Sequence, residues 1–234
     1  MTNDNKINVL DDKGYVRLVD VMGDDLSVVN AARVSFDKES EALGEWDARL
    51  IRFLAREGHG SPFRHAVATF EIYAPLMVAR QWWKYVVGSD HTMDSWNESS
   101  RRYVTEEPTF YVPAADEWRS APEHSKQGSG EPFEEWEGAP LTDVLVEYVK
   151  EGLHLYQSAL DCGVAPEQAR LFLPAYGLYV RWRWTASLQS ICHFLNQRLD
   201  DDAQHEITEY ARAIHELIEP RFPVAVGELV AEHV

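Results

Sequence analysis

The sequence predicts an α+β fold: a single mixed domain with a small antiparallel sheet and a helical C-terminal half. Two observations predict it. Runs rich in Val, Ile, Tyr and Phe come early in the chain, whereas apolar residues in its last third recur mainly at helical spacing. Strands that precede helices, rather than alternating with them, are typical of α+β folds. We therefore expect one domain over residues 1–234, with a surface insertion at about 114–140.

The N-terminal elements follow from periodicity and from the residues at their ends. Gly23 and Gly58 are natural stops for the strand and the helix that precede them, and Pro75 suits the first turn of a helix. Alternate apolar residues place one face of the second strand in the core. The predicted elements are a strand at 15–23, helices at 24–36 and 45–58, a strand at 65–75 and a helix at 75–87.

The second half begins with the polar, acidic, Pro- and Gly-rich insertion, which we expect to lie on the surface. Beyond it the apolar spacing is helical, except for the strand-like run YVRWRW. Thr185 is a plausible N-cap for the helix that follows this run. The predicted helices cover 141–163, 166–174, 185–199 and 203–223.

Charge and composition exclude several classes of function. The formal net charge of −17 disfavours general binding to nucleic acid or to anionic membranes. The two cysteines lie thirty positions apart and form no CxxC motif, which favours a reducing compartment over a disulfide framework or a zinc site. The polar N-terminus resembles no secretory signal, and no apolar run reaches the length of a membrane span. These features predict a cytoplasmic protein.

The charge reverses between residues 170 and 198, where there are four arginines and no Asp or Glu. Arginines that lack acidic neighbours in sequence suit an external anion, since the guanidinium fork matches phosphate and planar carbonyl edges. For Arg181 and Arg183 we favour a solvent-facing position between buried tryptophans. For Arg170 and Arg198 we favour a role in function.

A second polar concentration occupies residues 80–103. Arg80 and Lys84 are four residues apart on a predicted helix, and the segment SWNESSRR adds hydroxyls, a carboxylate and two arginines. Such a mixture can bind a phosphate while Glu98 accepts from a hydroxyl or a ring N–H. On the helix at 185–199, Gln189, His193 and Asn196 form a polar face, which suits either a heterocycle or solvent.

Common catalytic signatures are missing from the sequence. There is no P-loop, no GxGxxG after a strand and no GxSxG elbow, and neither cysteine lies in a recognised nucleophile motif. HEITE and HELIE each lack the second histidine of a zinc protease, so we predict no metal site. Enzyme-derived covalent catalysis has no clear candidate.

Several separated blocks together resemble the flavin-dependent thymidylate synthases. The resemblance runs in order from about residue 12 to 220 and leaves out the insertion and the C-terminal tail. The blocks are DKGYVRLVDVMGDDLSVVNAARVSF, GHGSPFRHAVATFEIYAP, VARQWWKY, WNESSRRY, ARLFLP, FLNQR and AQHEI. Ordered blocks over most of a chain are far more specific than a single motif.

The resemblance implies the reductive methylation of dUMP to dTMP. It implies FAD as the cofactor, NADPH as the reductant and methylenetetrahydrofolate as the carbon donor. It also implies a homotetramer whose active sites combine residues of more than one subunit, and no covalent enzyme nucleophile on the uracil ring.

The resemblance also assigns roles to residues. Arg198 is the implied catalytic residue, which stabilises the ionisation of uracil N3. The implied nucleotide-binding residues are Gln81, Lys84, Glu98, Ser100, Arg101, Arg102 and Arg170. The implied flavin-binding residues are His59, Ser61, Lys84, Tyr85, Glu98, Ser187, Gln189 and His193.

One part of the family signature differs here. The usual Arg-His-Arg triplet is replaced by Lys84, Tyr85 and Val86, and about six extra residues precede Ser95. We interpret the change as a divergent subgroup with a re-tuned flavin site. The alternatives are a non-catalytic protein that binds flavin or a nucleotide, and an enzyme that acts on another pyrimidine nucleotide; a purely helical interaction module leaves the acid-free segment unexplained.

Overall fold

The computed structural model describes residues 5–10, 12–87, 94–99, 107–123 and 128–231. The chain forms two compact units. The first unit comprises residues 1–72, 82–97 and 183–234, and the second comprises residues 73–81 and 98–182. The assignment of one domain to residues 1–234 stays a prediction.

The strands form a five-stranded antiparallel sheet in the spatial order β1-β2-β3-β5-β4, which confirms the predicted fold class. The strands are β1 (Lys6–Val9), β2 (Gly14–Met22), β3 (Val67–Pro75), β4 (Ser95–Glu98) and β5 (Tyr179–Ser187). β2, β3 and β5 lie where the sequence predicts strands. β1 and β4 were not predicted, because each has only four residues, too few to establish a periodic pattern.

The helices of the described chain are α1 (Asp25–Arg33), α2 (Glu45–Arg56), α3 (Leu76–Val87), α4 (Glu135–Asp161), α5 (Pro166–Ala169), α6 (Leu188–Arg198), α7 (His205–Ile218) and α8 (Pro223–Leu229). The glycines that follow β2 and α2 have positive φ values of 88° and 71°, as their predicted role as stops requires. α4 begins six residues before the predicted start, inside the predicted insertion, and contains Pro140.

The predicted N-cap of α6 is wrong. Thr185 lies within β5, where its hydroxyl is 2.9 Å from that of Thr69 on β3. The cap is Ser187, whose Oγ accepts from the backbone N–H of Ser190 at 3.3 Å. Both residues carry a hydroxyl, and the pairing of β5 decides which of them starts the helix.

A cluster of aromatic rings forms the core of the first unit. The Trp82 ring stacks on Phe194 at a centroid distance of 4.3 Å and meets Trp184 edge-on at 5.4 Å. All three side chains are fully buried. These contacts fix α3 and α6 against β5, so the ends of these two helices have defined positions.

In the second unit, α4 packs against the segment that leads into β5. The buried residues Phe110, Leu173 and Leu178 form a cluster that is covered by apolar side chains of α4. At Gly152 a Cβ would lie 2.7 Å from Pro174 Cδ, so only glycine allows this approach. Within the insertion, Trp118 donates its indole N–H to Thr142 Oγ1 at 2.9 Å, which anchors it to α4.

Candidate active site

The C-terminal ends of α3 and α6 bring together four of the predicted site residues. Arg198 Nε donates to the Tyr85 hydroxyl oxygen at 2.6 Å. The Tyr85 ring lies 5.8 Å from the His193 ring. Lys84 Nζ and Arg198 Cζ are each 5.4 Å from the centroid of the Tyr85 ring. We call Lys84, Tyr85, His193 and Arg198 the Tyr85 cluster.

The Tyr85 ring is held by the aromatic core. Tyr85 is 6% exposed, and its ring meets Phe194 edge-on at 5.2 Å. Phe194 in turn stacks on Trp82. The hydroxyl of Tyr85 therefore projects from a ring with little freedom to move, and it presents a fixed acceptor to Arg198.

Burial and charge shift the pKa values of two members of the cluster. Burial raises the pKa of Tyr85, although the hydrogen bond and the charge of Arg198 oppose this shift. Burial, together with the neighbouring charge of Arg198, lowers the pKa of Lys84. Tyr85 therefore stays a neutral hydroxyl at neutral pH, and the cluster concentrates positive potential, which suits an anionic ligand.

A second group of predicted residues lies where the chain between α2 and β3 meets α6. The backbone N–H of Leu188 donates to Ala66 O at 2.9 Å, which joins the two segments. A Cβ at Gly60 would lie only 2.9 Å from Gln189 Oε1. The predicted flavin residues His59 and Ser61, on either side of Gly60, therefore lie beside the predicted flavin residue Gln189.

Gln189 carries a buried acceptor that suits a cofactor. Within the described part of the chain, its Oε1 is buried and accepts no hydrogen bond. An unpaired buried amide oxygen is costly, and a ligand N–H removes the cost. A flavin ring offers one imide N–H. Gln189 and His193 are four residues apart on α6, hence on one face of the helix, so these residues fit the flavin that the resemblance implies.

The comparisons with known proteins identify the family of this chain. The family model described as thymidylate synthase complementing protein, Thy1, matches residues 17–224. The chain belongs to the Thy1 family.

Relatives and solved structures match over nearly the whole chain. A flavin-dependent thymidylate synthase of Thermotoga neapolitana is 41% identical, covering 93% of this chain and 91% of the relative. A flavin-dependent thymidylate synthase of Thermus thermophilus is 42% identical, and the match covers 92% of this chain and 74% of the relative. A crystal structure of the UMP/dUMP methylase PolB from Streptomyces cacaoi bound with 5-Br UMP matches with a TM-score of 0.80 at 28% identity, covering 94% and 96%. The PolB structure bound with 5-Br dUMP matches with a TM-score of 0.80 at 30% identity, covering 92% and 94%.

Two predicted polar residues of this Thy1 chain have structural partners of their own. Ser187 is 1% exposed, and its hydroxyl caps α6; its contact with flavin stays a prediction. Asn196 donates to Leu229 O at 2.7 Å and accepts from the Ala231 N–H at 2.8 Å. Asn196 therefore holds the chain after α8 in place. The polar face of its helix was predicted to contact a heterocycle or solvent, and these hydrogen bonds are neither.

The remaining predicted residues divide between the second unit and undescribed segments. In the second unit, Gln81 is half-buried on α3, and Glu98 is exposed at the end of β4. Arg170 is also exposed, and its Nε donates to Glu167 O at 3.2 Å. Ser100, Arg101 and Arg102 lie outside the described residues, so their assignment to the nucleotide stays a prediction.

Sequence reasoning missed Glu71. This carboxylate on β3 accepts from the Tyr15 hydroxyl at 2.9 Å and pairs with Arg17 at 3.0 Å and Arg183 at 3.7 Å. Burial tends to raise the pKa of Glu71, but these bonds and charges lower it overall. Arg183 is exposed, as predicted, yet it has an acid partner on the neighbouring strand. Cross-strand register is the signal that links such pairs.

The described residues form neither a metal-binding group nor a membrane-spanning helix. In the ranges that the structure describes, no group of three or more His, Cys, Asp or Glu side chains is placed to hold a metal ion. Searching the same ranges also finds no helix with the length and apolar character to cross a membrane.

Proposed function

We propose that the protein is an FAD-dependent thymidylate synthase, which methylates dUMP reductively to dTMP. Methylenetetrahydrofolate supplies the carbon, and NADPH supplies the electrons. The observation that carries the proposal is the Thy1 match over residues 17–224. Within this match α6 carries Gln189, His193 and Arg198, and the last two lie beside Tyr85. The names of the relatives support the same reaction.

Arg198 has the central role in the proposed chemistry. Methylation requires C5 of the uracil to act as a nucleophile, and negative charge then develops at N3 and O2. A guanidinium stays cationic at all relevant pH values, so Arg198 stabilises this charge. One preorganised donor of this kind contributes about 3 kcal/mol to the transition state.

Most residues of the proposed flavin site belong to the first unit. When bound, FAD supplies the reducing equivalents for the transferred carbon. Gln189 would hold the ring by accepting a hydrogen bond from its imide N–H, and the absence of a side chain at Gly60 leaves the Gln189 amide its position. The other residues proposed to hold it are His59, Ser61, Lys84, Tyr85, Glu98, Ser187 and His193.

The residues proposed to bind the nucleotide include cations, which a phosphate requires. Lys84 and Arg170 are the proposed contacts in the described ranges that carry positive charge, with Gln81 and Glu98 as hydrogen-bonding partners. Ser100, Arg101 and Arg102 complete the proposed set. The PolB structures that match this chain hold 5-Br UMP and 5-Br dUMP, which supports a uracil nucleotide as the ligand.

The cysteines support a mechanism without a covalent enzyme nucleophile. Cys192 is 2% exposed, and burial raises the pKa of its thiol far above the usual range. A buried, protonated thiol is a poor nucleophile. Cys162 is exposed at the end of α4, in the second unit, and is not among the proposed site residues.

Self-association as a cytoplasmic homotetramer is part of the proposal. α4 exposes an apolar stripe on one side. Leu141, Tyr148 and Leu155 recur every seven residues, with Val144 between the first two. Val144 and Tyr148 are 70% and 60% exposed. A long helix with an exposed apolar stripe is typical of an interface between subunits.

Formation of dTMP by the purified protein tests the proposal. The assay contains dUMP, methylenetetrahydrofolate and NADPH, with and without added FAD. We expect dTMP that depends on FAD. Retained dUMP binding without product would favour the non-catalytic alternative.

The second candidate function is the methylation of another pyrimidine nucleotide. A competition between dUMP, UMP and dCMP as substrates tests it. The specific observation in its favour is that the matching PolB methylase acts on both UMP and dUMP. Preferential methylation of UMP or dCMP would show that this nucleotide, and not dUMP, is the substrate.

A further inference from the structure

We infer that Tyr85 is a positioning residue that sets the orientation of the Arg198 guanidinium for the methylation step. The inference rests on the proposed function, in which Arg198 stabilises charge on the uracil. It gives Tyr85 a role beyond the flavin contact that the family resemblance implies.

The contact itself is short and directional. Arg198 Nε donates to Tyr85 Oη at 2.6 Å, from the last residue of α6 to the last turn of α3. The bond engages one of the five N–H donors of the guanidinium, and it lies in the plane of the group. A bond at Nε therefore fixes the direction in which that plane points.

The acceptor is fixed by packing. The Tyr85 ring meets Phe194 edge-on at 5.2 Å and His193 at 5.8 Å, and the residue is 6% exposed. Phe194 and Trp82 beneath it are fully buried. A flexible arginine gains catalytic value when a rigid neighbour holds it in the productive geometry.

The chemistry of the acceptor suits this role better than a carboxylate would. An Asp or Glu at this position would fix the guanidinium and would also cancel much of its charge. The Tyr85 hydroxyl is neutral, so Arg198 keeps its positive charge for the developing anion. Lys84, with its ammonium 5.4 Å from the same ring centroid, adds a second positive charge to the cluster.

The first experiment is the Tyr85→Phe variant, which keeps the ring and its packing and removes the hydroxyl alone. We expect kcat for dTMP formation to fall about 10-fold, because a misplacement of ~1 Å costs up to about 100-fold. The KM for dUMP should change less than twofold, and the FAD content of the purified protein should match wild type. A raised KM with unchanged kcat would overturn the inference, since the hydroxyl would then bind the substrate.

Tyr15→Phe is the matched control. It removes the hydroxyl of the half-buried Tyr15, which donates to Glu71 at 2.9 Å outside the proposed site. We expect this variant to turn over like wild type. An equal fall of kcat in both variants would overturn the inference, because the effect would then be general to the fold.

A double-mutant cycle with Arg198→Ala tests whether Tyr85 acts through the arginine. If it does, adding Tyr85→Phe to Arg198→Ala should lower kcat by less than twofold. The same 10-fold loss in both backgrounds would show that the hydroxyl acts independently of Arg198. Loss of FAD from the Tyr85→Phe variant would overturn the positioning role, because the hydroxyl would then serve to bind the flavin.

The proposed function and the positioning role of Tyr85 are overturned by different results. Absence of FAD-dependent dTMP formation by the wild-type protein would overturn the proposed function, and the role of Tyr85 with it. Wild-type activity that survives undiminished in Tyr85→Phe would overturn only the positioning role.

Discussion

Replacement of Gly60 by alanine tests the flavin site directly. Gly60 has φ −70° and ψ −24°, a right-handed conformation that alanine adopts without strain. The new Cβ would nevertheless lie 2.9 Å from Gln189 Oε1 and 3.3 Å from its Cδ. Optimal separations of non-bonded heavy atoms are about 3.5–4.0 Å, so the Gln189 amide must move by roughly 0.5 Å.

The displaced amide should weaken the binding of FAD and leave the fold intact. A typical hydrogen bond contributes about 0.5–1.5 kcal/mol, so its loss should raise the Kd for FAD about 2- to 10-fold. Stability should be unchanged or slightly higher, because alanine restricts the unfolded chain more than glycine does. Titration of the apoprotein with FAD, followed by flavin fluorescence, measures the Kd, and thermal denaturation measures the stability.

Gly227→Ala is the control for this prediction. A Cβ at Gly227 on α8 meets no atom within 4 Å, so FAD binding should be unchanged. If Gly60→Ala binds FAD with a Kd within twofold of wild type, Gln189 does not orient the flavin. That result would refute the reasoning from its buried, unpaired oxygen.

Three further predictions concern catalysis, stability and assembly. Arg198→Ala should lower kcat about 100-fold, the equivalent of roughly 3 kcal/mol, with a smaller effect on the Kd for dUMP; wild-type turnover would remove the assignment. Asp47→Ala should lower the free energy of unfolding in urea by about 2 kcal/mol, because a buried carboxylate bonded to the Gly44 N–H is lost. That N–H holds the pKa of Asp47 below its usual value of 3.8, so the wild-type advantage should disappear as the pH falls below about 4; an equal difference at pH 7 and pH 3 would contradict it. Val144→Lys combined with Tyr148→Lys should dissociate the proposed tetramer in sedimentation velocity, whereas an intact tetramer would place the interface elsewhere.

Local signals located most of the elements. Glycines after β2 and α2 have the positive φ values that make them stops, and the apolar alternation of β3 matches its buried face. These features were predictable because they depend on neighbouring residues. The strand β1 was not, because it is defined by the pairing of Ile7 with Val16 across a turn, and its own four residues are too few to establish a strand period.

The boundaries that were wrong have a common cause. Thr185 and Ser187 are equally good caps in sequence, and the contact of Thr185 with Thr69 assigns the first to β5 and the second to α6. The start of α4 was placed after Pro140, whereas Glu134 and Glu137 cap the helix earlier, with the Glu137 side chain accepting from the Glu134 N–H. In both places tertiary or side-chain contacts override the local preference.

The sequence by itself indicated the family, which the Thy1 match confirms, and it predicted which residues form the site. The resemblance carried by its ordered blocks predicts Arg198, Gln189 and Tyr85 as site residues. The sequence alone does not show that Tyr85 and Arg198 form a hydrogen bond, since the two residues are 113 positions apart. Their hydrogen bond exists because the aromatic core packs α3 against α6, and such packing between distant segments is set by the complementary shapes of many side chains, which no local period encodes.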